Sequence, residues 1–201
     1  MNVNFAKPRY IVLASRPDVG RRSFYYYLAL KALESKQCVA IYSLERCKES
    51  VVKDIEIVQS FLPIKKPINI EKLFINSEIF TIEKLEVDLI NLKAKQPELT
   101  LCIIDYLGLF STETKSDLTT GLIYISKKIK ELSQKLDMTI ILTGMLDRDL
   151  GFRYRVVEDI ADVVLYLKLT TNEPLLDIKK ETIKEKSLND LFQESFEYLK
   201  I

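Results

Sequence analysis

A chain of 201 residues is long enough for one domain with a sizeable core, and 47% of its residues are apolar. With 30 basic against 29 acidic side chains the net charge is only +1, so no global charge excess marks a nucleic-acid binder. The absence of histidine excludes the commonest general base and any histidine-dependent metal site, and Cys38, Cys47 and Cys102 are too far apart to form a CxxC pair.

In chain order, short runs rich in Ile, Val and Leu alternate with longer helical patterns. A strand is predicted at 9–15 (RYIVLAS), followed by a tight turn and a helix over 22–35. The next strand is expected at 37–44 and its helix at 46–62, stopping before Pro63. A short strand at 72–76 precedes a helix over 81–96, where Ile82, Leu85, Leu89 and Leu92 recur at helical spacing before Pro97. A strand at 99–105 leads into the polar loop STETKSD (111–117) and a helix over 119–137, with Ile123, Ile129 and Leu132 in one stripe. Strands at 138–144 and 161–169 flank a charged connection, 146–160, which carries Arg148, Arg153 and Arg155. Those arginines read either as a solvated loop or as contacts for a polyanion.

The strand runs are near-continuously apolar, which suits parallel strands covered on both faces. Strand–helix alternation implies right-handed crossovers and an open α/β sheet. Cys38 and Cys102 fall within such runs and are expected to be buried thiols. One domain is expected, with a core over about 9–182 and a tail element at 186–201. In the tail, Leu188, Leu191, Phe192, Phe196 and Leu199 form one apolar face, for the domain itself or for a partner. No apolar run approaches the ~20 residues of a membrane span, and MNVNFAKPRY lacks the layout of a secretory signal. A cytoplasmic location away from membranes is therefore expected.

Four ordered segments carry a family resemblance: ASRPDVGRRSF (14–24), VAIYSLE (39–45), LCIIDYLGLF (101–110) and VEDIADVVLYLKL (157–169). Together they resemble the RecA-like C-terminal motor domain of DnaB-type replicative helicases. The resemblance implies a P-loop NTPase fold of the RecA type, with a mainly parallel sheet flanked by helices. It places Ser15, Arg16, Pro17, Gly20, Arg21, Arg22 and Ser23 in a phosphate-binding loop. It makes Glu45 the counterpart of the water-polarising carboxylate, and Asp105 that of the Walker B carboxylate that holds Mg²⁺ through water.

Several parts of that machinery differ here. Arg21 stands where the loop lysine belongs, and Arg22 where a Thr or Ser hydroxyl would ligate Mg²⁺. A guanidinium offers a metal no lone pair and repels it. Ser23 offers a hydroxyl only if the loop shifts by one residue. The sensor strand runs LTGMLDR, with Thr143 and Gly144 rather than a glutamine, and no arginine follows Arg155 to serve as a finger for a neighbour's nucleotide. A finger contributes ~10³–10⁵ in rate in well-studied nucleotide hydrolases. The 201 residues also lack a counterpart of the family's N-terminal domain and linker helix, so a monomer or small homo-oligomer is expected rather than a stable hexamer.

Three functional readings follow. The first is a RecA-fold accessory or regulatory module of DNA replication or recombination that does not hydrolyse ATP and binds a replicative helicase or another replication or recombination protein. The second is a divergent, active ATP-dependent helicase. The third is a sensor that binds nucleotide without turnover. The balance of losses leans against an enzyme, and the expectation is no required cofactor, weak nucleotide or phosphate binding, and little part for Mg²⁺. DNA as a partner has weak support, because STETKSD carries only Lys115 against Glu113 and Asp117.

Overall fold

The computed structural model describes residues 7–61, 68–113, 117–146, 155–169 and 174–181. In chain order they form β1 (Arg9–Ser15), α1 (Arg21–Glu34), β2 (Cys38–Ser43), α2 (Lys48–Ser60), β3 (Leu73–Asn76), α3 (Ile82–Lys95), β4 (Leu99–Asp105), α4 (Leu118–Lys135), β5 (Thr139–Met145), α5 (Arg155–Ile160), β6 (Val163–Leu169) and β7 (Pro174–Glu181). The strands make one sheet in the order β3-β2-β4-β5-β1-β6-β7. All neighbours are parallel except β6 and β7, which are antiparallel. The predicted open, mainly parallel sheet is thus the observed architecture, with the five longer predicted strands at its centre.

Strand alternation sorts the core into two layers. Register aligns Ile75, Ile41, Ile103, Ile141, Ile11 and Val163 as a row across the sheet. That row packs beneath α1 and α2, through Phe24, Leu28, Val51 and Ile55 among others. The intervening residues, such as Tyr10, Val12, Cys102, Ile104, Ile140 and Leu142, face the other way and pack with Leu85 and Leu89 of α3 and Ile125, Ile129 and Leu132 of α4. Both faces are therefore covered, which is why the strand sequences show no polar alternation. Cys38 and Cys102 are buried and Cys47 is exposed.

Two elements depart from the sequence reading. β7 was not predicted as a strand: PLLDIKKE has too short an apolar run to signal one, and an edge strand pairs on one side only. The charged sequence of 146–160 predicts a loop, yet Arg155–Ile160 is helical and buries Val157. Six residues are too few for helical periodicity to show. The tail 186–201 lies outside the described residues. No helix among the described residues is long and apolar enough to cross a membrane.

Ile103 sits at the middle of the cross-sheet row, fully buried between Ile41 and Ile141. Ile103→Ala should lower unfolding free energy by about 2–5 kcal/mol, the usual cost of a buried cavity of that size. Urea denaturation followed by circular dichroism measures this; a loss below about 1 kcal/mol would contradict the packing described.

Candidate functional site

The same alternation that buries Ile41, Ile103 and Ile141 puts a polar row at the carboxyl ends of those strands. Two residues further along each strand come Ser43, Asp105 and Thr143, on the α1 side of the sheet and all buried. In open α/β sheets this is the edge where ligands bind. The chain leaves β1 at Ser15, turns through Arg16–Gly20 and enters α1 at Arg21 directly above that row. Gly20, with φ 85° and ψ 16°, supplies the left-handed residue that turns the chain into the helix, and it offers no side-chain cap. Two backbone bonds knit the strand ends together: Leu44 N–H donates to the Asp105 carbonyl at 2.7 Å, and Leu146 N–H to that of Ser15 at 2.9 Å.

Asp105 is the centre of the arrangement. Its carboxylate is fully buried, and both oxygens are bonded by protein groups. Oδ1 accepts from Arg21 Nη2 at 3.1 Å and from the Thr143 hydroxyl at 2.5 Å. Oδ2 accepts from the Tyr25 hydroxyl at 2.9 Å and has Arg22 Nε at 3.8 Å. Burial, reinforced by the adjacent Asp105 charge, raises the Tyr25 phenol well above its ordinary range, so it stays a donor at neutral pH. Arg21 is itself held at several points: Nη1 donates to the Gly144 carbonyl at 3.1 Å, and its guanidinium lies 5.6 Å from the centre of the Tyr106 ring.

Glu45 lies past the end of β2 and has a different setting. Its Oε2 accepts from Arg22 Nη2 at 2.6 Å and stands 4.0 Å from Arg21 Nη2. This pair is much wetter, with the two side chains 40% and 31% exposed against 11% and 0% for Arg21 and Asp105. Two guanidinium groups thus face two carboxylates, one pair buried and one at the rim.

Beside the rim pair is an open cavity of about 390 Å³, lined by all the phosphate-loop candidates (Ser15, Arg16, Pro17, Gly20, Arg21, Arg22 and Ser23) together with Asp18, Glu45 and Met145. Ser15 is buried, and its hydroxyl donates to the Arg16 carbonyl at 2.8 Å. The structure therefore brings together the loop, Glu45 and Asp105, as their places in the sequence suggested. Of the other predicted polyanion contacts, Arg155 is exposed at the start of α5, while Arg148 and Arg153 lie outside the described residues.

Asp105, the counterpart of a carboxylate that holds Mg²⁺ through water, is closed off by protein groups here. Its oxygens are taken up by Arg21, Thr143 and Tyr25, and no water-exposed lone pair remains for a hydrated Mg²⁺. Among the described residues, no group of three or more Asp, Glu, Cys or His could hold a metal ion. In this arrangement the arginine side chains fill the space beside Asp105 that a hydrated cation would need.

The motifs do not point to Tyr25, Tyr106 or the Gly144 carbonyl as site groups, and they mark Thr143 only as standing near the place of a glutamine. Two signals were available. Tyr25 follows Arg21 by four residues and so shares its helix face. Thr143 has the same strand parity as Ile141.

The two ion pairs should differ in mutational cost. Asp105→Ala leaves a nearly buried guanidinium without its counter-charge and should destabilise by about 3–5 kcal/mol. Arg22→Ala removes the exposed pair with Glu45 and the longer 3.8 Å contact with Asp105, leaves the Arg21–Asp105 bond in place, and should cost about 1 kcal/mol. Chemical denaturation of both variants tests this; equal costs would show that Asp105 is not the anchor of the site.

Residues 59–163, just over half of the chain, match the family described as the DnaB-like helicase C terminal domain. This stretch contains Asp105 and Thr143 and begins after Arg21, Arg22 and Glu45. Two curated relatives from Helicobacter pylori, strains ATCC 700392 / 26695 and J99 / ATCC 700824, are both described as replicative DNA helicase DnaB. They are 26% identical over 196 residues and 25% identical over 190. These alignments cover 81% and 78% of this chain but 40% and 39% of the relatives, so the chain spans about two fifths of the length of the curated relatives it matches. Among solved structures, one described as an ATPase domain superposes with a TM-score of 0.73 at 18% identity, covering 89% of this chain and 78% of that one. A DnaB-like replicative helicase, described together with its interactions with primase, also gives 0.73, at 17% identity over 89% of this chain and 53% of the other. The fold is RecA-like, as these superpositions show, and the chain belongs to the family of DnaB-like helicase C-terminal domains.

Proposed function

We propose that this chain is a RecA-fold module of DNA replication or recombination that does not hydrolyse ATP and acts by binding other proteins of that machinery. The observation that carries the reading is the closure of Asp105. A phosphoryl-transfer site depends on a metal that neutralises developing charge and on donors free to follow it. Here the carboxylate that would hold the metal is already bonded to Arg21, Tyr25 and Thr143, and Arg22 stands at the metal-ligand position. Glu45, the counterpart of the water-polarising residue, is committed to Arg22 at 2.6 Å. A carboxylate held by a guanidinium is a poor base for water. Metal binding and water activation are thus both opposed by the same two arginines.

Family membership supports a role among replication proteins, and a structural relative is described with its interactions with primase. A replicative helicase is accordingly the first protein to test as a partner, and primase the next. The cavity beside Arg22 favours a residual affinity for phosphate groups, on which Mg²⁺ has little influence.

Steady-state phosphate release, with Mg²⁺, ATP and single-stranded DNA present, should show no turnover above background. Replacing Arg21 by Lys and Arg22 by Thr together should raise Mg²⁺–ATP affinity without restoring fast hydrolysis, since the sensor glutamine and the finger are still missing. DNA-stimulated turnover near ~1 s⁻¹, the low end of ordinary enzyme rates, that disappears in Glu45→Gln would overturn the proposal.

A further inference from the structure

We infer that Glu45 is a built-in competitor for the anion site: it holds Arg22 in the absence of ligand, and the terminal phosphates of a small polyphosphate must displace it to bind. The inference rests on the metal-independent reading above and assigns the regulation of that same site.

The two arginines have unequal freedom. Arg21 is tied inward by the Asp105 carboxylate, the Gly144 carbonyl and the Tyr106 ring, and is 11% exposed. Arg22 is 40% exposed at the cavity wall, so it is the guanidinium that can turn toward a ligand with little rearrangement. Its strongest contact is the 2.6 Å bond to Glu45. Glu45 lines the cavity itself, so its carboxylate both occupies Arg22 and repels an incoming anion. Phosphate and carboxylate oxygens seek the same guanidinium fork, and only one can hold it in bidentate fashion.

The ligand class follows from the cavity. Its volume of about 390 Å³ accommodates the end of a small polyphosphate chain. Arg22, Ser23 and the left-handed Gly20 at the start of the 14-residue α1 supply donors on one wall. Because Asp105 is closed, a metal adds nothing to this binding. Asp18 lines the same cavity but has no bond to Arg21 or Arg22 among those described, which makes it the control for general charge effects.

The test is tripolyphosphate binding, by isothermal titration calorimetry in EDTA, to the unmodified protein and to Glu45→Gln, Asp18→Asn, Arg22→Gln and the Glu45→Gln/Arg22→Gln double variant. Asn tolerates the positive φ of 59° at position 18. Glu45→Gln should bind about fivefold more tightly, the scale of one exposed ion pair. Asp18→Asn should change affinity less than about twofold, and in the Arg22→Gln background Glu45→Gln should gain no more than that, the remainder being direct repulsion. Replacing EDTA with Mg²⁺, which itself complexes tripolyphosphate, should not tighten binding. ATP in EDTA should respond as tripolyphosphate does.

Equal gains from Asp18→Asn and Glu45→Gln would reduce the effect to bulk charge and overturn the inference. So would unchanged or weaker binding in Glu45→Gln, a requirement for Mg²⁺, or a response seen only with an oligothymidylate. A phosphate-release assay on the same samples reads the proposed function separately: turnover there refutes the non-hydrolysing reading, whereas the EDTA titrations report on Glu45 alone.

Discussion

A carboxylate buried at the end of a central strand is the constraint on which the site depends. Asp105 has no contact with water, and an ionised carboxylate removed from water is tolerated only when opposite charge and hydrogen bonds replace the lost hydration. Arg21 supplies the charge, and Tyr25 and Thr143 supply hydroxyls. Once those bonds are made, the start of α1 is fixed over β4 and β5, the Gly144 carbonyl is engaged and the phosphate loop has a set exit from β1.

In this family's fold a loop cation, a metal and two carboxylates meet at the same strand ends. This chain keeps both carboxylates and puts guanidinium groups against them. A divalent ion is strongly hydrated, exchanges its waters and can follow charge as it moves between phosphate and leaving group. A guanidinium anchored at several points, as Arg21 is, does none of these, because fixed partners hold it in place. At Asp105 the charge is thereby neutralised within the protein, whereas the pair at Glu45 stays open to exchange.

Position within the site also grades the strength of its interactions. Identical chemistry, guanidinium on carboxylate, is a structural anchor at Asp105 and a labile contact at Glu45, because solvent screens the second pair and not the first. Tyr25 belongs to the anchored half, with its phenol held as a donor, whereas Arg22 belongs to the half that can rearrange.

Much of this was legible in the sequence, for identifiable reasons. Continuous apolar runs such as LTLCIID and the helical spacing of Ile82, Leu85 and Leu89 follow from burial on two faces or on one, so they announced the sheet and the helices that cover it. The order of the motifs placed Glu45 and Asp105 at strand ends and Arg21 and Arg22 where the first helix begins. Sequence patterns did not reveal β7, whose edge position imposes little apolar patterning, or the short α5. Nor did they say whether the arginines face a ligand or the protein. That depended on α1 crossing above the ends of β4 and β5, which brings Arg21 and Tyr25 from one helix face against Asp105 and Thr143 from two strands. A linear sequence states which charges exist; only the packed structure determines which of them lose their water, and it is desolvation that makes one pairing an anchor and leaves the other exchangeable.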